Sequence, residues 1–179
     1  MLNIFIFHRD LRIHDNTTLL KMLKDNKKII LIFIFPPEQI DPTKNKYFSN
    51  NSVQFMIESL HELNKEIKKY KSKLYFFKGD NIDVLKQINK KDKINSIGFN
   101  LDYSPYAVKR DKLIQDFCNK NNISLYTEED YALYPVMDDT TYNKSGKPYT
   151  VFTPFRNNIM KKFQVRKPDN YNKFNFEKN

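Results

Sequence analysis

The sequence predicts an α/β fold: a doubly wound, five-stranded parallel sheet with helices on both faces. Short apolar segments alternate five times with longer amphipathic ones, and two of the apolar segments are hydrophobic along nearly their whole length. Such alternation is typical of parallel sheets, whose strands are buried on both faces. Because crossover connections are right-handed, the expected strand order is 3-2-1-4-5, Rossmann-like, with the first strand central.

The strands follow from the apolar runs in chain order. The runs that begin at Ile4 and Ile29 are almost wholly apolar, as expected for strands in the middle of a parallel sheet. The predicted strands are Ile4–Phe7, Ile29–Phe35, Leu74–Lys78, Ser96–Asn100 and Ser124–Thr127.

The segments between the strands carry helical patterns. The helix that begins near Ser52 is the clearest, because its apolar residues recur at helical spacing and form one stripe. That stripe consists of Phe55, Met56, Leu60, Leu63 and Ile67. Either Asp15 or Asn16 can serve as the N-cap of the first helix. The predicted helices are Thr17–Lys24, Ser52–Tyr70, Asp83–Asn89, Tyr106–Asn121 and a short piece at Arg156–Phe163.

Composition excludes several classes of protein. No apolar run approaches the roughly 18 residues of a membrane helix, so no membrane association is expected. The single cysteine, Cys118, excludes an internal disulfide and favours a reducing compartment, the cytosol or nucleus. The net charge of +10 invites a nucleic-acid function, but the lysines are dispersed along the sequence. The favoured interpretation of the positive charge is therefore a solvated surface whose lysines reflect compositional bias.

Common catalytic and phosphate-binding patterns are missing from the sequence. Only three glycines are present and none forms a GxGxxG or P-loop pattern, so a glycine-cradled pyrophosphate is not expected. The three histidines and Cys118 lack the spacing of metal ligands. We therefore assign no catalytic residue and no metal site.

Charged residues crowd the turn after the first strand, in the stretch "HRDLRIHD". In a doubly wound sheet the ligand crevice opens at the carboxyl ends of strands 1 and 4, so this turn lies at its mouth. His8 and His14 could form an acid–base pair with Asp10 and Asp15. The favoured alternative is structural, with these residues capping the first helix and pairing with Arg12.

Four motifs, in order over residues 1–165, resemble the photolyase/cryptochrome family. "FHRDLRIHDNTTL" is similar to the family's N-terminal signature, an aromatic residue followed by "RRDLRLxDNxAL". "QFMIESLHELNKEI" and "FNLDYSPYAVKRD" resemble its next two segments, and "KSGKPYTVFTPFRNNIMK" resembles the stretch that closes its α/β domain. The resemblance predicts one α/β domain at 1–165, followed at 166–179 by a polar, mobile tail that is a remnant of the interdomain linker.

Intact members of that family join the α/β domain to a larger helical domain. The helical domain holds FAD, the electron-relay tryptophans and the pocket for the damaged pyrimidine dimer. This chain has no tryptophan and ends where the linker would begin, so we expect FAD only in the missing helical half. The expected function is that of a truncated or split DNA photolyase, assisting light-driven repair with a separately encoded FAD half and meeting damaged DNA indirectly. Without that half the chain is expected to be inactive as a deoxyribodipyrimidine photo-lyase.

The family's α/β domain often holds a second, light-harvesting chromophore. The resemblance implies that Arg9, Phe33 and Asp102 contact a deazaflavin or flavin antenna. Phe33 can stack on a flat ring, Arg9 can bond a ring carbonyl, and Asp102 can accept from a ring N–H. Folate-type members carry an Asn-Glu pair where this chain has Tyr106-Ala107, so a folate antenna is less expected. An alternative makes Arg9 and Asp102 a purely structural ion pair.

The apolar side chains between Tyr149 and Phe163 predict a docking surface for the helical half, with some of them covering the domain's own core. Two rival functions remain open. One is an inactive truncated remnant of a photolyase. The other is a free-standing flavin-binding, nucleotide-binding or interaction module.

Overall fold

The computed structural model describes residues 1–25, 28–134, 136 and 141–178. Within them the strands are β1 (Leu2–Phe7), β2 (Ile30–Phe35), β3 (Leu74–Lys78), β4 (Ile94–Leu101) and β5 (Ser124–Glu129). The helices are α1 (Thr17–Asp25), α2 (Pro37–Ile40), α3 (Asn50–Lys68), α4 (Asn81–Lys91), α5 (Pro105–Asn121) and α6 (Phe152–Lys162).

The strands form one parallel sheet in the order β3-β2-β1-β4-β5, which confirms the predicted topology. Ile4 of β1 pairs with Ile30 of β2 on one side and with Ile97 of β4 on the other. β1 is therefore central, and its carboxyl end lies beside that of β4.

Alternate residues of the strands build two cores, because successive side chains point to opposite faces of a sheet. Phe5, Phe7 and Phe33 belong to the core that α1 and α3 cover. Ile4 and Ile6 belong to the core that α4 and α5 cover. Each fully buried aliphatic or aromatic side chain contributes about 1.5–3 kcal/mol to folding.

The helix stripe of α3 is confirmed only in part. Leu60, Leu63 and Ile67 are buried, whereas Phe55 is 72% exposed. Successive helical residues are about 100° apart, so Phe55 lies on the flank of the stripe that runs through Met56. At α1 the N-cap is Asn16, whose Oδ1 accepts from the Leu19 N–H at 3.3 Å.

The tail after Arg166 differs from the expected mobile segment because it packs against the domain. Phe176 is 2% exposed and forms a parallel bridge with Ile29, just before β2. The Glu177 N–H donates to the Ile29 carbonyl at 2.9 Å, and Phe174 stacks on Phe176 with ring centroids 5.6 Å apart. Although the tail is polar in composition, its aromatic residues complete the core beneath α1 and α3. The domain boundary after residue 165 stays a prediction.

The segment between β5 and α6 lacks strands and long helices within its described residues. Gly146 forms a turn with φ +71°, and its N–H donates to the Asn143 carbonyl at 2.9 Å. None of the helices in the described part of the chain is long and apolar enough to cross a membrane.

Candidate functional site

Arg9 and Asp102 lie together at the carboxyl ends of β1 and β4. The Arg9 Nη1 is 3.3 Å from each carboxylate oxygen of Asp102. The Arg9 side chain is 68% exposed, whereas that of Asp102 is 6% exposed. The Tyr103 N–H (2.6 Å) and Ser104 N–H (3.3 Å) also donate to Asp102 Oδ1. The carboxylate is thus fixed at the base of α5, while the guanidinium is exposed to solvent.

Tyr131 completes this corner, and sequence reasoning missed it. The Arg9 guanidinium lies 5.6 Å from the centroid of the Tyr131 ring, and the Arg9 backbone N–H donates to the Tyr131 hydroxyl at 3.3 Å. That hydroxyl in turn donates to Asp10 Oδ1 at 3.3 Å. Burial raises the pKa of the Tyr131 phenol, so the ring stays neutral at physiological pH. No local sequence pattern marks Tyr131, which lies just after the end of β5.

Phe33 does not share this exposed corner. Its side chain is 2% exposed within the core under α1 and α3, because its register partner on β1 is Phe7 rather than Arg9. Phe33 contacts Phe35 edge-on at 4.8 Å, and Phe35 lies 6.0 Å from Phe76, which is 46% exposed. Phe35 and Phe76 are therefore the aromatic side chains that a ligand could reach at this end of β2 and β3. The role of Phe33 in ligand binding stays a prediction.

Asp10 occupies the buried centre of the charged turn. It is 2% exposed, and its Oδ1 accepts from the His8 backbone N–H at 3.0 Å. Its Oδ2 accepts from the side-chain amides of Asn16 at 2.9 Å and Asn100 at 2.6 Å. Asp10 thereby ties β1, the start of α1 and the end of β4 to one carboxylate.

A second buried carboxylate, Asp130, explains Arg12. The Asp130 side chain is fully buried and accepts from Arg12 Nη2 at 2.5 Å. It also accepts from the N–H and the hydroxyl of Thr17, at 3.1 and 2.5 Å, which caps the first turn of α1. The expected pairing of Arg12 within the turn occurs through the Asp15 carbonyl, at 3.0 Å, while its carboxylate partner comes from the end of β5.

The histidines of the turn form no acid–base pair with Asp10 or Asp15. The His8 ring packs on Phe99, with centroids 5.4 Å apart. Burial, together with the positive charge of Arg110, holds the pKa of His8 well below its usual value, so the ring is neutral. His14 pairs instead with Glu66, at 2.9 Å. The turn is therefore structural, but its contacts differ from the expected ones: Arg12 pairs with Asp130, and the caps of α1 are Asn16 and Asp130.

A buried ion pair lies on α5, the helix that follows Asp102. Arg110 and Asp111 are each 8% exposed, and Arg110 Nε donates to Asp111 Oδ1 at 2.8 Å. Burial raises the pKa of Asp111. Across the described residues, no group of three or more His, Cys, Asp or Glu side chains is placed to hold a metal ion.

Comparison with known proteins identifies the family. A family model described as DNA photolyase matches residues 3–172. The chain belongs to the DNA photolyase family. It is 30% identical over 178 residues to a deoxyribodipyrimidine photo-lyase of Buchnera aphidicola subsp. Baizongia pistaciae, covering 93% of this chain and 35% of that protein. It is 28% identical over 154 residues to cryptochrome-1 of Aedes aegypti, covering 83% of this chain and 28% of that protein.

One solved structure is similar to this chain along its whole length. An archaeal photolyase from Sulfolobus tokodaii superposes with a TM-score of 0.85 and 36% identity, covering 100% of this chain and 39% of that one. That structure contains two FAD molecules and is described as implying a novel light-harvesting cofactor. This chain spans 28 to 39% of the lengths of the three proteins and corresponds to their α/β portion.

Proposed function

We propose that this chain is the antenna-binding α/β domain of a photolyase, with a flavin or deazaflavin held at the Arg9–Asp102 corner. The observation that carries the proposal is the pairing of a buried carboxylate with an exposed guanidinium at the switch point of the sheet. A flavin-type ring offers carbonyl acceptors for Arg9 and a ring N–H for Asp102. The second FAD of the similar archaeal photolyase favours a flavin over a folate.

Ligand titration tests the antenna proposal. We expect FAD, FMN or a deazaflavin to bind with one-to-one stoichiometry and to show a sharpened, red-shifted absorption band. Arg9→Ala removes a charge-assisted hydrogen bond of about 1.5–3 kcal/mol, so affinity should fall about ten- to hundredfold. Arg156→Ala is the matched control, because Arg156 is an exposed arginine on α6. Equal affinity of wild type and Arg9→Ala for every chromophore would reduce Arg9–Asp102 to a structural ion pair.

We further propose that the domain works with an FAD-bearing helical portion in light-driven repair of pyrimidine dimers. The supporting surface is the apolar segment around α6, where Val151, Phe152 and Met160 are 60, 71 and 57% exposed. Ile159 of the same segment is buried in the domain itself. Beside it lies a groove of about 560 Å³ that includes Leu133, which is 74% exposed.

Mixing with a helical half tests the docking proposal. Phe152→Ser should weaken association at least tenfold in analytical ultracentrifugation, because it removes a large apolar contact. Phe55→Ser is the matched control, since Phe55 on α3 is equally exposed, at 72%. The domain alone, supplied with FAD and blue light, is expected to show no dimer repair. A chain that binds no flavin and no helical half would be an inactive remnant, and one that binds flavin alone would be a free-standing module.

A further inference from the structure

Lysines dispersed along the sequence come together at the amino end of the sheet. Because all strand pairs are parallel, every strand begins at this edge, and α3, α4 and α5 run back and end there. We call this surface the amino-end lysine face. Its exposed members are Lys28, Lys68, Lys69, Lys71, Lys73, Lys90, Lys91, Lys93 and Lys120.

Backbone contacts place the central lysines on either side of β1. The Leu2 N–H donates to the Lys93 carbonyl at 2.8 Å, and the Asn3 side-chain amide donates to the Lys28 carbonyl at 3.0 Å. Lys73 directly precedes β3, the edge strand beyond β2. Neighbouring strands lie about 4.8 Å apart, so Lys73 and Lys93 are separated by about 14 Å across the sheet.

Negative charge at this edge is sparse. The carboxylates that sequence and topology bring here are Asp25, Glu66, Asp92 and Glu177, and Asp169 pairs with Lys24 at the end of α1. Among the ion pairs of residues 1–25, 28–134, 136 and 141–178, the face takes part in one, between Lys28 and Glu177 at 3.3 Å. The face therefore carries a large uncompensated positive charge.

Helix capping explains only part of this cluster. A lysine in the last turn of a helix interacts favourably with the helix dipole, by about 0.3–1 kcal/mol, which accounts for Lys68, Lys90 and Lys91. Lys71, Lys73 and Lys93 lie instead in connecting segments, where no dipole is capped. Crowded like charges destabilise a compact domain unless a partner neutralises them.

We propose that the amino-end lysine face binds the phosphate backbone of duplex nucleic acid without sequence preference. Duplex DNA carries one phosphate charge per about 1.7 Å of axis with both strands counted, so a 14 Å length of duplex carries about eight charges. Lysine ammonium groups bind phosphates as point charges and read no base edges at this kind of surface. The face lies about one strand length, roughly 20 Å, from the Arg9–Asp102 corner, so both surfaces can be occupied together.

Salt-dependent binding tests the proposal. The full chain is titrated against a fluorescein-labelled, undamaged 20-base-pair duplex between about 50 and 200 mM NaCl, and anisotropy is recorded. We expect the logarithm of the affinity to fall linearly with the logarithm of the salt concentration. The triple variant Lys71→Gln, Lys73→Gln and Lys93→Gln should bind at least tenfold more weakly at the lowest salt. Its salt slope should be shallower by about 2.7, the value for three lost phosphate contacts.

The matched control carries the same change in net charge at the opposite edge of the sheet. Lys44→Gln, Lys46→Gln and Lys109→Gln together should leave affinity within about twofold of wild type. Circular dichroism checks that both triple variants fold. Equal weakening by both triples would overturn the proposal by showing that overall charge drives binding. Absence of binding at the lowest salt, or tighter binding to phosphatidylserine vesicles than to duplex at equal phosphate, would also overturn it.

Discussion

Replacing Asp10 with asparagine tests whether the charged turn is scaffold rather than ligand site. The amide can keep an oxygen toward Asn16 and Asn100, which donate at 2.9 and 2.6 Å. The NH₂ group of the new asparagine then faces the backbone N–H of His8. That N–H loses the acceptor that Asp10 Oδ1 provides at 3.0 Å in the wild type. An unpaired buried N–H costs about 1–3 kcal/mol, and the remaining bonds lose their charge assistance. Asp10→Asn should therefore lower the free energy of unfolding by about 2–4 kcal/mol.

Urea denaturation followed by circular dichroism measures this loss. Asp83→Asn is the control, because Asp83 is 66% exposed and forms a surface ion pair with Lys86, so its loss should stay within about 0.5 kcal/mol. Chromophore affinity in the folded fraction of Asp10→Asn should change less than threefold, whereas Arg9→Ala should weaken it ten- to hundredfold. If Asp10→Asn is as stable as wild type, or loses affinity as strongly as Arg9→Ala, the division of the turn into scaffold and site is wrong.

Four further experiments test the packing at Gly98, the docking of the tail, the burial of His8 and the burial of Cys118. Gly98→Ala should cost about 1–3 kcal/mol because its Cβ would lie 2.1 Å from the Met22 sulfur, and Met22→Ala should destabilise the Gly98→Ala background less than it destabilises the wild type. Strictly additive losses would contradict this. Phe176→Ala should cost about 3–5 kcal/mol, and a loss below 1 kcal/mol would mean that the tail is not docked. The folded pKa of His8 lies below 6.5, so the unfolded chain takes up the proton first, and stability should fall by about 1 kcal/mol from pH 6.5 to 5.5. His8→Asn should remove that slope. Burial raises the pKa of Cys118 to about 11, so Ellman's reagent at about pH 8 should label it only after unfolding.

Sheet order could be predicted because it follows from local pattern and handedness, whereas Arg9 and Asp102 were singled out by the family resemblance. Apolar runs such as Ile4–Phe7 identify buried strands, and right-handed crossovers leave few topologies. Once β1 and β4 are neighbours, residues that follow them must share one corner. No contact energy is needed for that inference.

Other features depend on contacts that no short pattern encodes. Asp130 caps α1 from 113 residues away, and Tyr131 meets Arg9 from 122 residues away, so neither could be found from spacing. The position of Phe33 depends on the register between β1 and β2. Because Phe33 pairs with Phe7, its side chain lies in the core with that of Phe7. Phe176 sits in a polar stretch and becomes part of the core through its bridge to Ile29 beside β2.

The lysines show the opposite relation between sequence and structure. Lys28, Lys73 and Lys93 are far apart in sequence, and their dispersal favours an unremarkable solvated surface. Parallel topology brings the start of every strand to one edge, so a lysine before each of β2, β3 and β4 becomes a single cluster. The distance between lysines in the sequence therefore says little about their distance on the surface of an α/β domain. What matters is how far each lysine lies from the start of a strand.

The energetics of the turn explain how scaffold and candidate site coexist within eight residues. Asp10 and its partners are buried, so breaking their bonds leaves unpaired polar groups and is expensive. The Arg9–Asp102 pair has an exposed guanidinium 3.3 Å from the carboxylate, so water can solvate Arg9 when it leaves Asp102. Arg9 can therefore leave its carboxylate for a ligand carbonyl at little cost to the fold. Asp102 keeps the Tyr103 and Ser104 N–H groups and stays in place to accept a ligand N–H. Arg9 can thus exchange partners in this turn without loosening the sheet.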